Sequence, residues 1–317
     1  MHWQGAAGLP ELRARADLYR DIRSFFAARE VLEVETPLLC SAGITDPAIE
    51  PLRVERGRSI TAPRYLQTSP EYAMKRLLAA GSGAIYQLAR AFRDGEAGSR
   101  HNPEFSLLEW YRPGFDLPML MNEVAELLRR CLGEKPARTF SYRELFDEVL
   151  SIDPFDADID TLRACASEVT DIGALTGDRD LWLDLLLTHA IEPALRDLGV
   201  CFVHDYPASQ AALARVHSPD GIPVAQRFEV YVDGLELANG YLELTDPVEQ
   251  RARFAADNAR RREHGLPEHR PDEYLLAAMA SGLPDCSGVA LGLDRLLMLR
   301  TGRQDIRQVL AFDWARC

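Results

Sequence analysis

The chain has 317 residues, enough for one large or two ordinary domains, and 47% of them are apolar, enough for a sizeable core. Its formal net charge of −13 argues against extensive binding to a polyanion such as an RNA backbone. No apolar run is long enough to cross a bilayer, and the first ten residues lack the basic start and apolar run of a signal peptide. The six cysteines, Cys40, Cys131, Cys165, Cys201, Cys286 and Cys317, form no CxxC pair and have no His cluster beside them. A disulfide framework and a zinc site are therefore not expected, and reduced thiols in a cytoplasmic protein are.

Leu12 to Arg29 reads as an amphipathic helix, with Leu12, Leu18, Ile22, Phe25 and Phe26 on its apolar side. A short strand, Val31 to Glu35, is stopped by Thr36-Pro37. Residues 41–62 hold turn formers and charges, and a strand follows at Tyr65-Leu66-Gln67. Pro70 can open a helix, with Glu71 in its first turn, where a carboxylate is favoured. The residues alone make Glu71 a plain helix-start acid. Leu117 to Leu132 reads as a helix. Residues 138–200 read as mainly helical, an insertion that caps the sheet, with Leu181 to Leu187 a buried helix and His189 beyond it. Cys201 to His204 reads as a strand. Asp233-Gly234 between the runs Ala225–Val232 and Leu235–Leu242 is a strong hairpin signal. Helices are expected from Pro247 to His264 and from Pro271 to Ser281. The first carries Arg251, Arg253, Arg260, Arg261 and Arg262, read as a solvated face paired with nearby acids.

Two stretches hold more hydrogen-bonding groups than a scaffold needs. In YQLARAFRDGEAGSRHNPEFSLLEWYR, Tyr86 to Arg112, two aromatic-rich strands flank a long charged tip. Arg93 leaves one strand behind Phe92, and Phe105 enters the other behind Pro103. A guanidinium and a ring facing across a hairpin suit a nucleotide, one forking onto phosphate and the other stacking on a base. In the second hairpin, Glu229 and Glu236 lie on opposed strands. Two carboxylates face each other at a cost unless solvent or a cation relieves it. Neither GxxxxGK[ST] nor GxGxxG nor HExxH occurs.

These stretches carry a resemblance. FRDGEAGSRHNPEFSLLEWY resembles motif 2 of the class II aminoacyl-tRNA synthetases, and Arg100-His101-Asn102-Pro103-Glu104-Phe105 resembles their lysyl branch. Gly288-Val289-Ala290-Leu291-Gly292-Leu293-Asp294-Arg295 resembles motif 3, and Glu33-Val34-Glu35-Thr36-Pro37 after its helix resembles motif 1. The motifs stand in the family's order, at about 11–37, 86–112 and 288–300, over nearly the whole chain. The resemblance implies an α+β fold: a class II catalytic domain spanning 1–317, with an antiparallel sheet flanked by helices and the insertion at about 138–200. It implies a homodimer built on motif 1.

It also implies a site. Arg93 and Arg295 would be catalytic. ATP would meet Arg93, Asp94, Gly95, Asn102, Phe105, Glu236, Leu237, Gly292 and Arg295. The amino acid would meet Ser69, Pro70, Glu71, Glu109, Tyr111, Asn239, Glu243 and Ala290, a carboxylate-rich pocket suited to a cationic substrate. Glu229 and Glu236 would hold Mg²⁺. The chain departs from the synthetase pattern in three places. The residues ahead of motif 1 leave no room for an anticodon-binding domain, so none is expected. Gly95 stands where a Glu is usual, with Glu96 beside it. Ala290 replaces a glycine of the lysyl enzymes. The first and third resemble the elongation factor P–(R)-β-lysine ligase family. That resemblance implies activation of (R)-β-lysine by ATP and transfer to a lysine of elongation factor P, with tRNA not the main substrate. Three rivals stay open: a truncated enzyme that charges RNA, a small-molecule ligase such as an ammonia-dependent asparagine synthetase, and a non-catalytic regulatory paralogue. The carboxylate-rich pocket weighs against the second, and the retained Arg93, Glu229, Glu236 and Arg295 against the third.

Overall fold

The computed structural model describes residues 4–55 and 57–317, with Asp220 described by its backbone alone. In chain order the elements are α1 (Leu9–Ala27), β1 (Leu32–Glu33), β2 (Leu39–Cys40), β3 (Arg53–Val54), β4 (Arg64–Leu66), α2 (Glu71–Ala79), β5 (Ile85–Phe92) and β6 (Glu104–Pro113). Then follow α3 (Leu117–Leu132), β7 (Ala137–Ser141), α4 (Tyr142–Leu150), α5 (Ile159–Val169), α6 (Arg179–Leu186), α7 (Glu192–Ala194), β8 (Val200–Pro207), β9 (Val216–His217), β10 (Val224–Val232) and β11 (Leu235–Leu242). The chain ends with α8 (Pro247–Glu263), α9 (Glu273–Gly282), β12 (Cys286–Gly292) and α10 (Leu293–Thr301). The fold is mixed α+β with mostly antiparallel strands, as expected. The chain divides into two compact units. One comprises Met1–Phe115, Arg130–Leu132 and Leu244–Cys317, and the other Asp116–Arg129 and Gly133–Glu243.

In the first unit, β6 pairs antiparallel with β5 and β12, and β1 adds to β5 in parallel. Side chains alternate across these strands. Tyr86, Leu88, Leu108, Trp110, Val289 and Leu291 share one face by register. Phe26 of α1 packs there, stacked on Tyr86 at 4.4 Å and edge-on to Trp110 at 5.4 Å. Burying each such side chain contributes about 1.5–3 kcal/mol. Asp294 at the start of α10 ties the layers together. It accepts from Arg15 of α1 at 2.6 Å and from the Ser106 backbone of β6 at 2.7 Å.

In the second unit, β10 runs between β8 and β11, both antiparallel, with β9 also on β10 and β7 parallel to β8. Tyr142, Phe146, Leu162, Trp182 and Leu186 of the helices form one core with Val203, Tyr206 and Tyr231 of the strands. Aspartates cap these helices as backbone acceptors. Asp116 takes Met119 N, Asp158 takes Thr161 N and Asp178 takes Leu181 N.

Several elements differ from expectation. The first helix starts at Leu9 and ends at Ala27, and Leu12 is 40% exposed. Glu11 takes the buried place because Arg303 pairs with it. The strand after it is only Leu32–Glu33. The mainly helical stretch begins with a strand, β7, whose residues are exposed or half-buried and so show no apolar alternation. The strand expected at Cys201–His204 extends to Pro207. On α8, Arg251, Arg260 and Arg262 pair with Glu273, Asp257 and Glu268, and Arg253 pairs with Glu249, as a solvated face should. Arg261 departs from that face. It is fully buried, and it binds the carbonyls of Asp46, Ile49 and Pro267 and the Glu50 carboxylate.

Candidate active site

The face of β5, β6 and β12 opposite Trp110 carries the candidate residues. In register across it stand Gln87, Glu109 and Ala290, then Ile85, Tyr111 and Gly288, then Ala89, Leu107 and Gly292. Four of the six outer positions, Ala89, Gly288, Ala290 and Gly292, are small beside the large groups of β6. Glu109 and Tyr111 are each 2% exposed, and the Tyr111 hydroxyl donates to Glu109 Oε1 at 2.7 Å. The Thr36 hydroxyl, in the segment between β1 and β2, donates to Gln87 Oε1 at 3.0 Å. Ala290 stands directly opposite Glu109, so its methyl group borders that carboxylate.

Arg93 and Phe105 meet at the tip of this hairpin. The guanidinium carbon lies 5.1 Å from the Phe105 ring centroid, within cation–π range. Arg93 Nε is buried and meets no acceptor among the described residues. A buried guanidinium donor without a partner costs free energy, which an anionic ligand would relieve. The Gly95 departure has a backbone cause. Gly95 sits at φ +78, where a Glu would be strained, after a turn in which Asp94 Oδ1 accepts from its amide at 2.9 Å. Glu96, the next residue, then lies 3.5 Å from Arg93.

The other expected residues of this unit divide into two groups. Asn102 is 7% exposed and spent on structure. Its amide donates to Glu104 O at 2.6 Å and accepts from Trp314 N at 3.0 Å, pinning the C-terminal segment to the loop. Arg295, on the first turn of α10, reaches the same loop, 2.7 Å from His101 Nε2 and 3.4 Å from Arg100 O. Ser69 and Pro70 lead into α2, with Pro70 at its N-cap and Glu71 in its first turn. Glu71 is not a bare cap. Lys75, one turn on and 1% exposed, donates to it at 2.7 Å. Glu71 thus presents a carboxylate partly neutralised from behind. Ser69 and Pro70 also line a cleft of about 210 Å³ with Arg64, Arg76 and Tyr274.

In the second unit the candidate residues share one face of the β10–β11 hairpin. Arg227 pairs with Tyr241, Glu229 with Asn239, and Tyr231 with Glu236. Glu229 and Glu236 are therefore diagonal neighbours rather than directly opposed. Leu237 is the extra residue of a β-bulge between them, a device that re-aims backbone beside sites. The turn that joins the strands is left-handed at both Asp233 (φ 51) and Gly234 (φ 76), as the Asp-Gly pair requires. Glu243 is 1% exposed at the end of the hairpin. It bridges to Ala214, and its carbonyl accepts from Arg215 Nε at 2.8 Å.

Glu229 is not a bare carboxylate. Oε2 accepts from the Tyr206 and Tyr231 hydroxyls at 2.7 and 2.5 Å, and Oε1 accepts from Arg227 at 2.5 Å. Burial, helped by the Glu229 charge, pushes both tyrosines far above their ordinary range. Burial works against the Arg227 cation, yet the charge and hydrogen bond of Glu229, together with Tyr241 and Tyr206, raise its pKa well above the ordinary range and keep the guanidinium charged. Two carboxylates of this face are the groups that could meet a divalent cation. Glu236 lies diagonal to Glu229 on the same face, and Glu229 Oε1 keeps a second lone pair beside Arg227. Arg227 and Tyr206 were not candidates from sequence. Their only signal was position, two residues before Glu229 and at the end of the neighbouring strand.

Comparison with known proteins gives the family. A family model described as tRNA synthetases class II (D, K and N) matches residues 9–315. The chain is 49% identical over 315 residues to proteins named elongation factor P–(R)-beta-lysine ligase from Salmonella dublin and Salmonella heidelberg. Each alignment covers 98% of this chain and 97% of the relative. The chain belongs to the class II tRNA synthetase family of the D, K and N type.

Proposed function

We propose that this protein is an ATP-dependent ligase that activates (R)-β-lysine and joins it to a lysine side chain of elongation factor P. The observation that carries this reading is the 49% identity over 98% of the chain to proteins named for that activity. The buried carboxylates Glu109 and Glu243 are each consistent with it, because a buried acid favours a cationic group.

In the first step the carboxylate of the amino acid attacks the α-phosphate of ATP, and pyrophosphate leaves. Arg93 supplies guanidinium charge to that phosphate, where negative charge grows in the transition state. Phe105 and Arg295 hold the adenine, with Asp94, Gly95, Asn102, Leu237 and Gly292 forming its surroundings. Ser69, Pro70, Glu71, Glu109, Tyr111, Asn239 and Glu243 orient the amino acid, and Ala290 sets the pocket's depth. Glu236 with Glu229 would hold Mg²⁺, which neutralises phosphate charge when bound. In the second step an ε-amino group of the acceptor attacks the mixed anhydride, AMP leaves, and the nitrogen gives up its proton as the amide forms. The protein acts as a cytoplasmic homodimer in this reading.

The experiment is amino-acid-dependent exchange of pyrophosphate into ATP, with (R)-β-lysine, α-lysine and aspartate compared. Exchange with (R)-β-lysine above α-lysine supports the reading. Exchange with aspartate alone would replace it with a different ligase.

A further inference from the structure

Arg227 makes three hydrogen bonds and a ring contact. Its side chain is 15% exposed. NH1 donates to the Gln210 carbonyl at 2.7 Å, NH2 to Glu229 Oε1 at 2.5 Å, and Nε to Asn239 Oδ1 at 3.2 Å. Its guanidinium carbon stands 4.5 Å from the Tyr206 ring centroid. Each of the three guanidinium nitrogens is therefore engaged, each by a different element: the turn after β8, β10 itself and β11.

The bond to Asn239 has a chemical consequence. A guanidinium has only donors, so it can meet the Asn239 amide only through oxygen. With Oδ1 turned to Arg227, the Nδ2 group faces the other way and offers donors alone. The contact to Gln210 has a second consequence. The segment after it carries Ala212 at φ +46 and returns to the end of β11 through Arg215 N to Leu242 O at 2.9 Å. Arg227 thus ties down one end of a strap whose other end is tied beside Glu243.

We propose that Arg227 is a positioning residue that locks the Asn239 amide as a donor, so that Asn239 recognises an anionic oxygen of a bound substrate. The oxygen is that of the amino-acid carboxylate or of an ATP phosphate, and the two sources separate kinetically. This inference rests on the ligase reading. Lysine at 227 would keep the charge but not the fork. It could neutralise Glu229 or hold Asn239 and Gln210, but not all three in one plane. Aspartate at 239 would keep an acceptor for Arg227 and lose the N–H group toward the substrate.

The test is pyrophosphate exchange by the intact enzyme carrying Arg227→Lys, Arg227→Gln or Asn239→Asp, with KM for each substrate, kcat and Tm measured together. Asn239→Asp should fold as the wild type does and lower kcat/KM at least about tenfold, as loss of a donor to a charged group does. Arg227→Lys should show the same defect in the same substrate's KM. A defect in the KM for the amino acid assigns the carboxylate, and one in the KM for ATP assigns the phosphate. If Arg227→Lys and Arg227→Gln lower Tm while kcat and both KM values stay within about twofold, the arginine is structural only and the proposal fails. Normal kinetics in Asn239→Asp would also overturn it. A wild-type enzyme that exchanges with no amino acid would overturn the ligase reading instead, and that result is separate from either outcome for the variants.

Discussion

Arg93→Ala removes the guanidinium that stacks on Phe105 and carries the orphaned Nε donor. Pyrophosphate exchange should fall by about a hundredfold or more, as expected when a transition-state charge contact is lost. Exchange at the wild-type rate would take Arg93 out of its role. Ala290→Gly acts on choice rather than rate. The methyl group stands opposite Glu109, and moving an amino group from the α- to the β-carbon shifts the substrate against it. The kcat/KM ratio of β-lysine to α-lysine should fall by about 10–200-fold, the worth of one methyl in a tight pocket. An unmoved ratio would make Ala290 a packing residue. At this scale the motif residues were legible because each stood at a fixed offset in a recognisable string. Their partners were not. Nothing in the string assigns Lys75 to Glu71 or Arg227 to Glu229, because a side-chain contact depends on rotamer and face, not on spacing alone. Gly95 was legible only as a departure, and its left-handed backbone supplies the reason.

The β10–β11 hairpin was read from Asp233-Gly234 and stands where that turn places it. Gly234→Ala tests how tightly the turn is specified. An added Cβ would lie 2.8 Å from the Glu192 carbonyl oxygen, on a backbone at φ +76. Unfolding should become easier by about 1–3 kcal/mol, seen as a lower urea midpoint at unchanged slope. Asp158→Ala removes the cap of α5 and should cost about 1 kcal/mol in the same measurement. Helices such as α3 and α8 were legible because their apolar or capping residues repeat at helical spacing. The strand β7 was missed because half-exposed edge residues carry no alternation. The arginines of α8 were read correctly as a paired, solvated face, but the burial of Arg261 depends on loop carbonyls at Asp46 and Ile49, over two hundred positions away in sequence.

Across the whole chain, several carboxylates sit below their ordinary range in the folded state. Hydrogen bonds from arginines hold down Glu11, Glu33, Glu273 and Asp305, and backbone amides hold down Glu144 and Asp158. The unfolded chain binds protons there more readily. Their stabilisation is therefore complete above the ordinary carboxylate values and is lost as the pH falls through the lowered ones. His269 adds to this from higher pH. Burial, then the Arg261 charge, lowers its proton affinity below the ordinary 6.5, so below that pH the unfolded chain gains a proton the fold resists. Asp184, which burial raises to about 6, works the other way between about pH 6 and 4, and burial also raises the Cys131 and Cys201 thiols, whose stabilisation is lost on the alkaline side. Tm should be highest near neutral pH, change little down to about pH 4, and drop below it. A Tm that keeps rising below about pH 4 would contradict these assignments. The central claim, that the acceptor is a protein lysine, is tested most directly by offering labelled (R)-β-lysine and ATP to the enzyme with elongation factor P or with bulk tRNA. Mass spectrometry should find one β-lysyl group on a lysine side chain of elongation factor P, stable to mild base as an amide is. Label found mainly on tRNA, and lost in mild base as an ester is, would contradict the account.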